Sequence, residues 1–276
     1  MYTILYINCS HVTIPASLSD GTTIRVLSSH EDRAAAVRLQ TETWGADNTE
    51  RVAATVLMIA EKIGGVASGA FAPDGTLSGF IFGLTGIKDG HLVHWSDMLA
   101  VRPEARGNRL GEALKQYQRE RCRALGVETM FWTFDPLVAR NAHLNLNKLG
   151  AGIAEFVPDM YGHTGSHIHS LGTDRFVAAW PLQRNPVKLS ENPRLLQGSP
   201  IVADGSGSEL PLPDSPNVVV AVPYDLPTLV AADRPRAQRW QLAVRRALSH
   251  YFTARYTVTA FVPGAGGDAH YLFSKP

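Results

Sequence analysis

The sequence predicts an α+β fold, in which a central twisted, mostly antiparallel mixed sheet is flanked by helices and followed by a small C-terminal β-α-β-β extension. Three observations predict it. Between residues 22 and 182, strand-like apolar stretches alternate with stretches of helical period in the order β-α-α-β-β-β-α-β-α-β-β. Glycines and capping residues fall at the ends of these stretches. Residues 183–216 then break the rhythm with Pro186, Pro193, Pro200, Pro211, Pro213, Pro216 and the flexible DGSGS before regular pattern resumes. The organisation expected is an N-terminal segment (1–21), a main domain (22–182), a Pro/Gly-rich linker or long draped segment (183–216) and an extension (217–276).

Each element has its own warrant. TTIRVLSS (22–29) is a strand, and Ser29 with Asp32 makes a capping-box start for a helix carrying Ala36, Leu39 and Thr43. Gly45 ends that helix, and RVAATVLMIAEKIGG supplies a second, stopped by Gly64 and Gly65. VASGAFAPDGTLSGFIFGLTG reads as a hairpin whose turn takes positive φ at Asp74 and Gly75. HLVHWSDMLAV is the next strand. Leu110 to Leu125 is a helix with Gly126 past its end, ETMFWTF a strand, and LVARNAHLNLNKLG another helix closed by glycine. AGIAEFVPDMYG and DRFVAAWPL complete the domain. In the extension NVVVAVPYD is a strand, and Asp233 with Pro235 opens a helix carrying Trp240, Val244, Ala247, Leu248 and Tyr251 on one face. Arg236, Arg239, Arg245 and Arg246 lie off that stripe, as a solvated face or an anion site. YTVTAFVPG and AHYLFSK finish as strands, and so small a unit is expected to pack on the main domain or on a second copy in a homodimer.

Composition narrows the function. With 276 residues and 45% hydrophobic content the chain can fill an ordinary core. No run of 18 apolar residues spans a membrane and MYTILYINCSHV lacks the pattern of a signal peptide, so a cytoplasmic protein is expected. Cys9 and Cys122 make no disulfide framework. A formal net charge of +1 without blocks of like charge argues against a nucleic-acid surface, leaving a small molecule as partner.

The stretch VRPEARGNRLGEAL (101–114) joins a strand to a helix through a basic, glycine-containing turn. A helix N-terminus presents unpaired N–H groups and a partial positive charge, so such a junction suits an anion, and Arg106 adds a cation. The pattern is not GxGxxG.

With the element order around it, LAVRPEARGNRLGEAL resembles the GNAT superfamily of acyl-CoA-dependent N-acyltransferases. The resemblance covers about residues 22 to 182. It implies a GNAT-like fold and acetyl-CoA or another short acyl-CoA as co-substrate. The main chain of Leu99, Ala100 and Val101 would bind the pantetheine arm, and the turn Arg106, Gly107, Asn108, Arg109, Leu110 and Gly111 would wrap the pyrophosphate. Arg106 and Gly111 match the ends of the family's turn, whereas Arg109 takes the place of a glycine, where it either bridges to the cofactor or hinders it. RNAHLNLNKLGA is similar to the second motif, with Ala142, Lys148, Leu149 and Gly150 matching and Asn141 taken as a further cofactor contact. Leu146 stands where the family often has the tyrosine that protonates the thiolate, and Ala151 replaces a phenylalanine. WTFDPLVARNAHLN, TDRFVAAWPL and the extension resemble a bacterial branch of the superfamily, which implies an amino-acid acceptor and admits succinyl-CoA as donor.

Acyl transfer to an amine needs a neutral amine, a polarised thioester and a proton for the thiolate. Strict alternation in HWSDMLAV puts Trp95, Asp97, Leu99 and Val101 on one face and His94, Ser96, Met98 and Ala100 on the other. Asp97 is the candidate base, its pKa raised beside Trp95, or else an Asp paired with an arginine. The N–H of Leu99 would polarise the thioester, as the resemblance implies. Tyr161 is the candidate acid, with Ser96 and His143 as further nominees. Asp135 with Arg140 or Arg175 would hold an amino-acid substrate's ammonium and carboxylate, beside Trp95, or Asp135 simply caps a turn. His163, His167 and His169 read as a specificity loop, and no metal is expected. The expected function is direct transfer in a ternary complex to a small-molecule amine. The alternatives are a non-catalytic acyl-CoA-binding or regulatory module and, third, a metal-dependent hydrolase on the His cluster.

Overall fold

The computed structural model describes residues 16–46, 50–162, 171–206, 209–264 and 267–276, so Cys9, His163, His167 and His169 lie outside the described residues. The chain forms a mixed α/β structure with two sheets. The larger has eight strands: β1 (Ala16–Ser17), β2 (Thr23–Val26), β3 (Val66–Phe71), β4 (Leu77–Lys88), β5 (His91–Val101), β6 (Thr129–Phe134), β7 (Gly152–Val157) and β8 (Arg175–Pro181). Their order is β1-β2-β3-β4-β5-β6-β8-β7, and only β5 and β6 run parallel. Helices α1 (His30–Trp44) and α2 (Ala54–Lys62) cover one face, and α3 (Leu110–Ala124) packs on the other.

Local chemistry explains most boundaries. Ser29 accepts the Asp32 N–H, and the Asp32 carboxylate accepts the Ser29 N–H in return, so α1 starts on the expected capping box. In the β3–β4 turn only Gly75 takes positive φ (86°). Asp74 does not, contrary to expectation: its carboxylate accepts the Thr76 N–H at 2.9 Å, the Asx alternative to a left-handed residue.

Two irregularities matter for the site. On β4–β5, Phe82 pairs with Met98 and Gly83 with Ser96, leaving Asp97 as the extra residue of a β-bulge. The bulge corrects the strict alternation: His94 and Ser96 face α3, whereas Ala100, with Met98, joins the core under α1 and α2. The helix expected after β6 is a single α-turn, α4 (Ala139–Ala142), that widens into a π-helix over His143–Leu149 before Gly150 closes it at φ 72°.

The second sheet has the order β11-β12-β10-β9, built from β9 (Ile201–Ala203), β10 (Asn217–Pro223), β11 (Thr257–Val262) and β12 (Asp268–Ser274) with α5 (Leu226–Ala232) and α6 (Arg234–Thr253). Within 183–216, β9 lies parallel to β10 and the Val219 N–H donates to the Pro200 carbonyl, so this stretch supplies an edge strand of the second sheet. Read from the far edge, β9-β10-β12-β11 repeats the topology of β5-β6-β8-β7. One apolar core joins the sheets through Phe176, Trp180, Tyr251, Tyr271 and Phe273. Buried polar links accompany it: Tyr271 Oη donates to the Pro136 carbonyl at 2.8 Å and Asn147 Nδ2 to the Phe261 carbonyl at 3.1 Å.

Candidate functional site

β5 and β6 pair over only three rungs, Val93 with Thr129, His94 with Met130 and Trp95 with Phe131. Beyond them β5 stays bonded to β4 as far as Val101, while β6 follows β8. The strands thus fork. Arg102 N–H donates to Ser78 on β4, so by the two-residue period Ala100 also points to β4 while Leu99 and Val101 present N–H and C=O to the open side. Arg106 Nε, donating to the Val101 carbonyl at 3.2 Å, marks that side.

The free edge runs into the turn. Residues 103–105 make one 3-10 turn, Gly107 takes φ 95°, and Arg109 takes the left-handed conformation at φ 56° as N-cap of α3. No side chain caps this helix, so the amides of Leu110, Gly111 and Glu112 have no intrahelical acceptor. Arg109 thus adopts a backbone geometry that glycine takes without cost. Its exposed guanidinium is held by Glu112 at 2.8 and 2.9 Å rather than standing over the turn. Arg106, Gly107 and Asn108 are exposed, Leu110 anchors the helix in the core, and Asn141 is half-buried on α4.

The fork has two faces. On the α1–α2 face, Trp95 precedes the bulged Asp97, an exposed residue whose carboxyl is nevertheless partly enclosed by its neighbours and is pushed above its ordinary range by that desolvation and by the nearby Glu50. Across the fork Tyr161 Oη shares a 2.8 Å hydrogen bond with Thr133 Oγ1 on β6, and the Arg175 guanidinium lies 5.4 Å from the Tyr161 ring centre. Arg175 itself is buried and donates to the Asp174 carbonyl.

Of the two arginines nominated with Asp135, Arg175 acts on its carboxyl, and Arg140 is not among the charges that shift it. Asp135 accepts the Leu137 N–H at 2.8 Å and lines, with Leu137, Gly172, Asp174 and Gln241, a cavity of about 10 Å³, room for about one water. Burial, partly offset by Arg175, pushes its carboxyl up to about 6. Arg140 is exposed and, behind the hydrogen bonds from Thr228, helps hold Asp225 below the ordinary carboxylate range. His143 shares a bond with Asn147 on its own helix.

On the α3 face lies a polar cluster that joins the nominated Ser96 to Lys115, a residue that the sequence reading passed over. Lys115, 3% exposed, donates through Nζ to Ser96 Oγ at 2.8 Å and sits 3.9 Å from the Trp132 ring centre. His94 is fully buried between Thr85 Oγ1 and Gln118 Nε2. Burial, reinforced by Lys115, drives the His94 pKa down to about 3, and burial alone brings Lys115 down to about 7. A signal existed: Gly111, Lys115, Gln118 and Cys122 recur at four, three and four residues, placing a lysine on the inward stripe of α3.

These shifts fix a pH dependence. An unfolded lysine keeps its proton to its ordinary 10.5 whereas folded Lys115 sheds it near 7, so the unfolded chain binds more protons in that window and stability rises with pH there. The slope is at most about 1.4 kcal/mol per pH unit. Denaturant titrations from pH 7 to 9, below the range where the raised Cys122 thiol gives the opposite slope, should show this rise in wild type and its loss in Lys115→Met; equal slopes would place a solvated amine at 115.

Among the described residues no group of three or more His, Cys, Asp and Glu is placed to hold a metal ion, and no helix is long and apolar enough to cross a membrane. No protein-family model matches the sequence, and no curated protein matches it. Solved structures similar to it include the ribosomal-protein-S18-alanine N-acetyltransferase from Escherichia coli, 18% identical over 61% of this chain and 99% of that one, with a TM-score of 0.47. A chain of the NatC complex bound to Gag peptide and CoA is 14% identical over 58% of this chain and 98% of its own, with a TM-score of 0.47. An aminoglycoside 6'-N-acetyltransferase complexed with coenzyme A is 16% identical over 59% and 99%, with a TM-score of 0.45.

Proposed function

We propose that the chain is an acyl-CoA-dependent N-acyltransferase that moves an acetyl or other short acyl group to a small-molecule amine by direct transfer. The observation that carries this is the fork, whose free β5 edge leads into an uncapped helix N-terminus through a left-handed turn. An extended amide-bearing chain ending in a pyrophosphate fits such an edge and turn: Leu99 and Val101 offer main-chain bonds, and the α3 amides with Arg106 offer donors and charge for an anion. Acyl-CoA supplies the activated carbonyl.

The protein's own groups do the rest. The Leu99 N–H on the open edge polarises a thioester carbonyl. Asp97, with its raised pKa and its place on the bulge, accepts the amine's proton, directly or through water. Tyr161 and Thr133 line the acceptor side across from Trp95. Asp135 is assigned to tying the β6–α4 turn rather than to substrate, since its carboxyl lines a water-sized cavity.

The experiment is calorimetric binding of acetyl-CoA, succinyl-CoA and free coenzyme A to wild type and Arg106→Ala. Micromolar binding is expected, weakened about 5- to 20-fold by the substitution, about 1 to 2 kcal/mol for one charge-assisted contact. Absence of binding by all three would remove the enzyme reading.

A further inference from the structure

Resting on that acyltransferase reading, we propose that Lys115 and Ser96 form the proton supply for the departing coenzyme A thiolate at the closed end of the fork. The argument is one of place. Trp95 and Phe131 are the last paired residues of β5 and β6, so Ser96 and Trp132 are the first on either arm of the fork, and both face α3. The Lys115 amine touches both, with Ser96 Oγ at 2.8 Å and the Trp132 ring centre at 3.9 Å. It therefore sits in the crotch of the fork, against the strands between which a thioester would lie.

The surroundings make this cation unusual. A buried ammonium is ordinarily matched by a carboxylate, yet among the described residues Lys115 has one hydroxyl and one aromatic face as partners. The ionisable groups that face it are His94 from β5 and Cys122 from its own helix. Burial holds the first neutral, with a pKa near 3, and raises the second to about 12, so neither supplies a negative charge near neutral pH. Trp132 from β6 is itself fixed by Nε1 donating to Asn145 of the π-helix. A thiolate formed in the fork would be the counter-ion this amine lacks, and an amine titrating near 7 is matched to proton donation at neutral pH.

The step balances. The amine nitrogen forms a bond to the carbonyl carbon, the carbon–sulfur bond breaks with its electron pair moving to sulfur, and the amine's proton passes to Asp97. Sulfur takes the Ser96 hydroxyl proton, and the Ser96 oxygen takes one from Lys115. After the thiol leaves, Asp97 gives its proton to water and Lys115 recovers one from water through Ser96. Ser96 is the proton donor and Lys115 the residue that positions and recharges it.

The test needs no amine substrate. The thiol of coenzyme A bound to wild type, Lys115→Met and Ser96→Ala is titrated by its thiolate ultraviolet absorption, and desulfo-coenzyme A, which lacks the thiol, is bound calorimetrically to each protein. Thiol and amine titrate as a pair, and a thiolate beside Lys115 holds its proton on, so the bound thiol should ionise at a proton concentration about tenfold or more above that for free coenzyme A, and Lys115→Met should abolish this shift. Desulfo-coenzyme A affinity should stay within about twofold. An unshifted thiol in wild type, or an equal shift in Lys115→Met, overturns the proposal while leaving the acyltransferase reading in place. Failure of wild type to bind either probe removes that reading and this one with it. If Lys115→Met loses desulfo-coenzyme A affinity and so has not folded, Ser96→Ala decides: a reduced shift supports the relay and an intact one overturns it.

Discussion

Asp97→Asn is expected to lower turnover on the best amine of a screened panel by about a hundredfold to ten-thousandfold, the range spanned by general-base catalysis. Coenzyme A affinity should change by less than about twofold, because main chain and not the Asp97 carboxylate borders the free edge of β5. The bulge is what makes this residue distinct: Gly83 pairs with Ser96 and Phe82 with Met98, so Asp97 is released from the ladder at the level where the fork opens. Partial desolvation of the carboxyl and Glu50 both disfavour its charged form although the residue is exposed, so the acid limb of the rate profile should lie above the ordinary carboxylate range. Glu50→Gln should move that limb to lower pH. Initial rates of thiol release from acetyl-CoA across pH check both. A full rate in Asp97→Asn would refute the assignment, and binding without turnover in wild type on every amine would favour the non-catalytic acyl-CoA module.

Asp174→Ala should cost about 1 to 3 kcal/mol of stability, the scale for leaving the donors around a part-buried carboxylate without their acceptor. The Asp174 side chain is 10% exposed and accepts four donors: Arg245 Nε at 2.8 Å, Arg245 Nη2 at 2.5 Å, Gln241 Nε2 at 3.0 Å and the Asp159 N–H at 3.0 Å. Its removal leaves Gln241 and the Asp159 amide short of an acceptor and Arg245 with Asp159 alone, at 2.6 and 2.9 Å. Asp159 lies two residues before Tyr161, so α6 of the C-terminal unit is tied through one arginine to the turn that brings Tyr161 against Thr133 of β6. Urea denaturation of Asp174→Ala, Arg245→Ala and the double variant tests this. The double variant should lose less than the sum of the singles. A single-variant loss under about 0.5 kcal/mol would reduce the cluster to a surface contact.

Elements whose cause is local are legible before any coordinates. The capping box at Ser29 and Asp32, the glycines at 64, 126 and 150 and the apolar periods of α3 and α6 act within a few residues, and the structure places each where the pattern does. The strand-to-helix turn at 103–110 is legible for the same reason, since a helix N-terminus needs only its own residues to expose its amides. Asp97 is legible as a residue type and not as a geometry. Its bulge depends on which residues of β4 face β5, a pairing between strands that no period within one of them encodes.

The order of elements and the anion-suited turn are therefore properties of the sequence itself, because propensity, capping and backbone freedom at single positions determine them. The fork, the π-helix that holds Trp132 through Asn145, the pairing of β9 with β10 and the closure of Arg245 onto Asp159 and Asp174 arise only when distant segments meet. Lys115 shows the difference most plainly. Its place on the inward stripe of α3 follows from spacing, and only the convergence of β5, β6 and α3 removes water from its amine, brings its pKa down to about 7 and sets it against Ser96.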